Sequence, residues 1–232
     1  MKMTKKILWV GIFAIAMAFI EAAVVVYLRR IYGISDLLIH VPPFDPQIAR
    51  IELGRELATL VMLLSFGWVA GQNLQSRLGF ALIAFGVWDI FYYLWLKVFI
   101  GWPKTLLDPD LLFLFPLPWW GPIIAPLLIS LLMIIGGTLA GIRNDQGYVI
   151  RFRITEKIAL LAGILAMLYA FMQDAISILP TDANLLSQLK PSQFNWQVFL
   201  VGLFLSGFVV WRIMRTTSYV SNKNSKSFFL IL

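Results

Sequence analysis

Residues 78–100 read LGFALIAFGVWDIFYYLWLKVFI, twenty-three positions of which only Asp89 and Lys97 are charged. As a helix rising 1.5 Å per residue, such a run is about 34 Å long, enough to cross a hydrocarbon core of about 30 Å with some tilt. In lipid every backbone polar group must be bonded internally, which leaves helices or a closed barrel. The run lacks the strict alternation of a barrel strand, so it reads as a helix. Five similar runs accompany it, giving predicted spans at 7–28, 51–70, 78–100, 121–141, 157–179 and 196–213. The expected fold is all-α, a polytopic transmembrane helix bundle of about six spans. It forms one domain over 1–217, followed by a mobile polar tail at 218–232.

Composition supports this reading. Hydrophobic residues occupy 60% of the 232 positions and charged ones 13%, whereas soluble domains are roughly half apolar and a quarter charged. Mean hydropathy is +0.83, and a chain of this size has too little interior to hide that much apolar surface from water. Six spans leave short connections and no second soluble domain. The formal charge of +7 suggests one face held against anionic membrane lipid, and no nucleic-acid partner. There is no Cys and one His, His40, which excludes disulfides, thiolate metal sites, a Cys nucleophile and a multi-histidine metal site. P-loop, Rossmann, His-Glu-x-x-His and Gly-x-Ser-x-Gly motifs are absent, so no cofactor is implied.

Orientation follows from Lys and Arg in the connections. One side carries Lys2, Lys5, Lys6, Arg77, Arg143, Arg151, Arg153, Lys157, Arg212, Arg215, Lys223 and Lys226. The other carries Arg29, Arg30, Arg50, Arg55, Lys97, Lys104 and Lys190. The richer side, which holds both termini, is expected in the cytoplasm, with the chain in the cell inner (cytoplasmic) membrane. The first run begins like a secretory signal but continues to Arg29 and Arg30, longer than the ~7–15 apolar residues of such a signal, and is read as a retained helix. Two connections on the outer side stand out. Residues 41–46, Val-Pro-Pro-Phe-Asp-Pro, predict a rigid extended segment. Residues 101–122 hold a Leu/Phe core broken by prolines, which lies at the interface or dips in as a re-entrant loop.

Ionisable residues inside the spans are the candidates for chemistry, because a carboxylate at a helix centre costs about 2.5–3.5 kcal/mol to insert and needs a partner or water. They are Glu21 on the first span, Glu52, Arg55 and Glu56 on the second, Asp89 and Lys97 on the third, and Asp174 on the fifth. Counted from the span starts, Glu21 lies about 21 Å and Asp89 about 16 Å along its helix, and the whole set crowds toward the outer leaflet. Asp89, Tyr93 and Lys97 recur every fourth residue, a stripe of one helix. Glu52 and Glu56 bracket Arg55, an arrangement suited to a charge-assisted network. The expectation is a polar pocket between the first, second, third and fifth helices, open outward and covered by the 101–122 loop. Asp89 and Glu21 are the candidate acid/base groups. Arg55, Glu52, Glu56, Tyr92, Tyr93, Lys97 and Asp174 are the candidate binding residues. For several of these a plainer reading stands beside it: Glu52, Arg55 and Glu56 as helix-start residues among the headgroups, Lys97 reaching to the interface, Asp174 in solvent. Glu21 and Asp89 also admit a purely structural ion pair or interhelical bond. The pairs Gly137/Gly141 and Ala162/Ala166 read as helix-packing positions.

Three segments carry a resemblance: FIEAAVVVYLR at 19–29, FGVWDIFYYLWLK at 85–97 and PLPWWGP at 116–122. In these the chain resembles a family of small bacterial and archaeal polytopic membrane proteins of uncharacterised function, over roughly residues 7–140. The resemblance implies no activity, cofactor or catalytic residue, only that Glu21, Asp89 and the loop form one unit.

Three functions fit the sequence. One is an enzyme or binding protein for a lipid-like or isoprenoid-like small molecule, with a buried carboxyl as general acid and Trp88, Tyr92, Tyr93 and Trp95 facing a cationic intermediate. Another is a small proton-coupled carrier. The third is a non-catalytic subunit or assembly factor of a membrane complex. The sequence does not choose between them, nor does it give a substrate or an oligomeric state.

Overall fold

A computed structural model describes residues 3–33, 46–113, 117–178 and 193–215. His40, the proline-rich segment up to residue 45 and the 218–232 tail lie outside the described residues. Six helices make up the bundle: α1 (Met3–Ile31), α2 (Pro46–Ala70), α3 (Leu74–Ile100), α4 (Ile124–Asp145), α5 (Ile154–Ile178) and α6 (Trp196–Arg215). All six are long and apolar enough to cross a membrane, as the hydropathy runs predict. α1, α2, α3 and α5 begin earlier than those runs, while α4 begins at Ile124, three residues later than expected. The first turn of α3 includes Gln75, Ser76 and Arg77, and it starts at Asn73, whose side chain accepts from the Ser76 N–H at 3.1 Å. The Ser76 hydroxyl accepts in return from the Asn73 N–H at 3.2 Å, a reciprocal cap. At the far end Gly101, at φ 68°, closes α3 in the left-handed conformation that glycine adopts without steric cost.

α3 is the hub, with α1, α2 and α4 all packed on it. The α3–α4 seam is built from small residues spaced by seven on both antiparallel helices. Gly79 lies against Gly137, and Gly86 against Ser130. A methyl group on Gly86 would sit 2.6 Å from the Ser130 carbonyl oxygen, so glycine there sets how close α4 comes. Without a hydrophobic drive between helices in lipid, such close backbone contact supplies the attraction. α5 and α6 form a second pair, docked on α4 through α6. Their seam runs through Gly163, Met167 and Gly202. It is therefore one position off the Ala162/Ala166 expectation, and Ala162 is exposed.

The 101–122 connection is an antiparallel ribbon with strands β1 (Pro109–Leu111) and β2 (Trp120–Pro122). Its ladder runs on through Leu112 N–H to Trp119 O at 2.8 Å and Ile123 N–H to Asp108 O at 3.1 Å. β2 is fully buried against α4 and α5.

Candidate functional site

A cavity of about 180 Å³ lies in the half of the bundle nearest this ribbon. Its walls come from α1, α2, α3, the start of α4 and the ribbon, with Phe171 alone from α5. Three polar groupings border it, each joining different elements.

The first links α1 to α2. Arg55 donates through Nη1 to Glu21 Oε1 and through Nη2 to Glu52 Oε1, and its Nε reaches Glu52 Oε2 at 2.8 Å. The Thr59 hydroxyl donates to the other Glu21 oxygen at 3.1 Å. A fork held by two carboxylates is the geometry a guanidinium favours. Both oxygens of Glu21 are thereby occupied, which casts it as the anchor of Arg55. Glu56, one turn on from Glu52, is buried beside them.

The second ties α1 and α3 to the ribbon. Asp110, 2% exposed, pairs with Arg29 at 3.5 Å and accepts from the Tyr93 hydroxyl at 3.3 Å. The Arg29 guanidinium also lies 4.0 Å over the Trp102 ring. Burial pushes the Asp110 carboxyl up to about 6, against the opposing pull of Arg29 and of its hydrogen bonds from Tyr93 and the Leu111 N–H.

The third joins α3 to α4. Asp89, 6% exposed, accepts from the Ser130 hydroxyl at 2.7 Å, and no second hydrogen-bond donor reaches it among the described residues. Asp89 thus keeps an oxygen able to take or give a proton inside the cavity. Between these groupings the wall is aromatic: Phe85, Trp88, Tyr92, Phe113, Trp119 and Phe171. Trp88 packs against Phe85, Tyr92 and Phe113 with centroids 5.3, 6.2 and 6.4 Å away. The indole N–H groups of Trp88 and Trp119 are buried and have no acceptor among the described residues, a rare state for a buried donor.

Of the residues singled out from sequence, Glu21, Glu52, Arg55, Glu56, Asp89, Tyr92 and Tyr93 all line this one cavity. Lys97 and Asp174 do not. The Lys97 ammonium donates to the carbonyls of Pro103 at 2.6 Å and Gly101 at 3.2 Å on the exposed side of α3. Eight residues advance a helix by about 80° beyond two full turns, which carries Lys97 off the Asp89 face. Asp174 lies by Gln173 and Trp196 along a separate cleft. α5 packs on α6 and β2 and not on α1, α2 or α3, so the fifth helix supplies only Phe171 to the wall. α4 supplies the expected wall instead, through Pro126, Ile129 and Ser130. Asp110, Arg29 and Ser130 were missed from sequence. The seven-residue spacing of Ser130 and Gly137 was a signal for the last of them.

These features define a helical multi-pass bundle with a largely aromatic cavity, bordered by three polar groupings, under a short ribbon. No family model matches the chain, nor does any curated protein or solved structure.

Proposed function

We propose that this protein binds a lipid-like small molecule in the cavity beneath the ribbon, with Asp89 as the group that exchanges a proton with it. The observation that carries the reading is one space bordered by an acid with a single hydrogen-bond donor and by a nearly continuous aromatic wall. A purely structural ion pair needs no cavity. A dry packing defect would be apolar throughout. The volume of about 180 Å³ slightly exceeds that of a cavity known to admit benzene and falls below the roughly 300 Å³ of small drug sites. That size suits a headgroup, or a short stretch of a prenyl or acyl chain, better than a whole lipid. The bundle lies in the cytoplasmic membrane with both termini inside, which places the ribbon and cavity in the outer leaflet.

Native mass spectrometry of protein extracted with its lipids tests this. Wild type retains one amphiphile through delipidation, and Ile129→Trp, which puts bulk into the cavity, loses it while remaining folded. Equal retention by both forms, or none by wild type, overturns the proposal.

A further inference from the structure

The charges around the cavity do not balance. Leaving Glu56 aside, the lining holds the carboxylates of Glu21, Glu52, Asp89 and Asp110 against the guanidiniums of Arg29 and Arg55. Both guanidiniums are already paired, Arg55 with two acids and Arg29 with Asp110. An anionic headgroup entering here would meet surplus negative charge and no free cation among the described residues. The acids are also spread over α1, α2, α3 and the ribbon, and no group of three is disposed to hold a metal ion among the described residues.

The aromatic wall supplies the complementary clue. Rings attract a cation through their faces, and several aromatic residues around one space form the usual receptor for a substituted ammonium. Trp88 stacks on Tyr92 and lies tilted against Phe113, and all three line the cavity together with Asp89.

Resting on the lipid-like reading above, we propose that the cavity selects an apolar cation, a protonated amine carrying a hydrocarbon body. The nitrogen sits beside the aromatic wall, and the Asp89 carboxyl gives its proton to the entering amine and becomes the counter-ion.

Three probes sharing a phenoxyethyl body separate the terms: 2-phenoxyethylamine, its neutral carbon analogue propyl phenyl ether, and 2-phenoxyethanesulfonate. Binding to wild-type protein in a neutral detergent is read by tryptophan fluorescence and calorimetry. The cation binds at least about tenfold more tightly than the neutral analogue, the sulfonate does not compete, and Asp89→Asn removes most of the difference. If cation and neutral analogue bind equally, protons fill the charge deficit and the cationic inference is overturned, while the lipid-like reading stands. Tighter binding of the sulfonate overturns the inference as well. If none of the three binds, the cavity is not a binding site and both proposals fall. The wild-type comparison decides the matter even if the Asp89 variant does not fold.

Discussion

Replacing Arg55 with Leu strips the counter-charge from Glu21 and Glu52 at once. The side chains are 21%, 10% and 13% exposed respectively, so the two acids left behind stay mostly desolvated. Removing one partner of a buried pair costs about 3–5 kcal/mol. Because Arg55 retains a fifth of its exposure, solvent screening discounts that range to about 2–4 kcal/mol here. At roughly 2–4 °C per kcal/mol for a chain of this length, the melting midpoint in detergent falls by about 5–15 °C. Glu21→Gln alone costs less, since its amide oxygen still accepts from Arg55 or Thr59. The decisive quantity is the double variant. Neutralising Glu21 relieves part of the uncompensated charge, so the two losses sum to less than their parts, with a coupling of about 1–3 kcal/mol. Thermal unfolding followed by circular dichroism at one fixed scan rate measures all four forms. Additivity within about 0.5 kcal/mol, or an Arg55→Leu protein that melts with wild type, refutes the fork as a joint between α1 and α2.

Three further outcomes follow from the same geometry. The folded Asp110 carboxyl is raised by burial from 3.8 to about 6, so the folded state holds its proton more tightly than the unfolded chain. Its stabilising contribution is full below pH about 4 and lost as pH rises through about 6; melting of wild type relative to Asp110→Asn across pH 3.5–7 shows this fall, and a flat difference contradicts it. Gly86→Leu forces side-chain atoms into the Ser130 backbone and Ile134, costing about 1–3 kcal/mol and lowering the melting midpoint. Gly207→Ala, with nothing within 4 Å of the added methyl, is the control and does not lower the midpoint. Because the chain has no Cys, single cysteines report topology cleanly: a membrane-impermeant maleimide labels Lys104→Cys in intact cells and leaves Asp145→Cys unlabelled until lysis, and the opposite pattern reverses the orientation.

The helices were legible because lipid imposes a length and composition on each span that few other structures share. Their partners were less so. Hydropathy sees a residue's depth but not the direction it faces, and α3 is apolar nearly all round because it has neighbours on several sides. Glu21, Arg55 and Asp89 announced themselves as charges in apolar runs. Asp110 did not, since it shares a proline-flanked turn with Asp108, and only the fold distinguishes them. Asp108 caps the turn in solvent, bonding Thr105 Oγ1 and the Lys104 N–H, while Asp110, within β1, is buried and pairs with Arg29. Arg29 itself read as an ordinary helix-end anchor. The misplaced fifth helix reflects a different limit. An isolated acid such as Asp174 carries no information about which helix packs beside it, and the small-residue seams that do carry it were only partly read.

A structure of the protein extracted with its native lipids, at a resolution that shows side chains, tests the central claim most directly. The account predicts an elongated feature within the cavity, in contact with Asp89 and the Trp88 and Phe113 rings. A cavity collapsed onto its own aromatic side chains, with amphiphiles found only on the outside of the bundle, would contradict it.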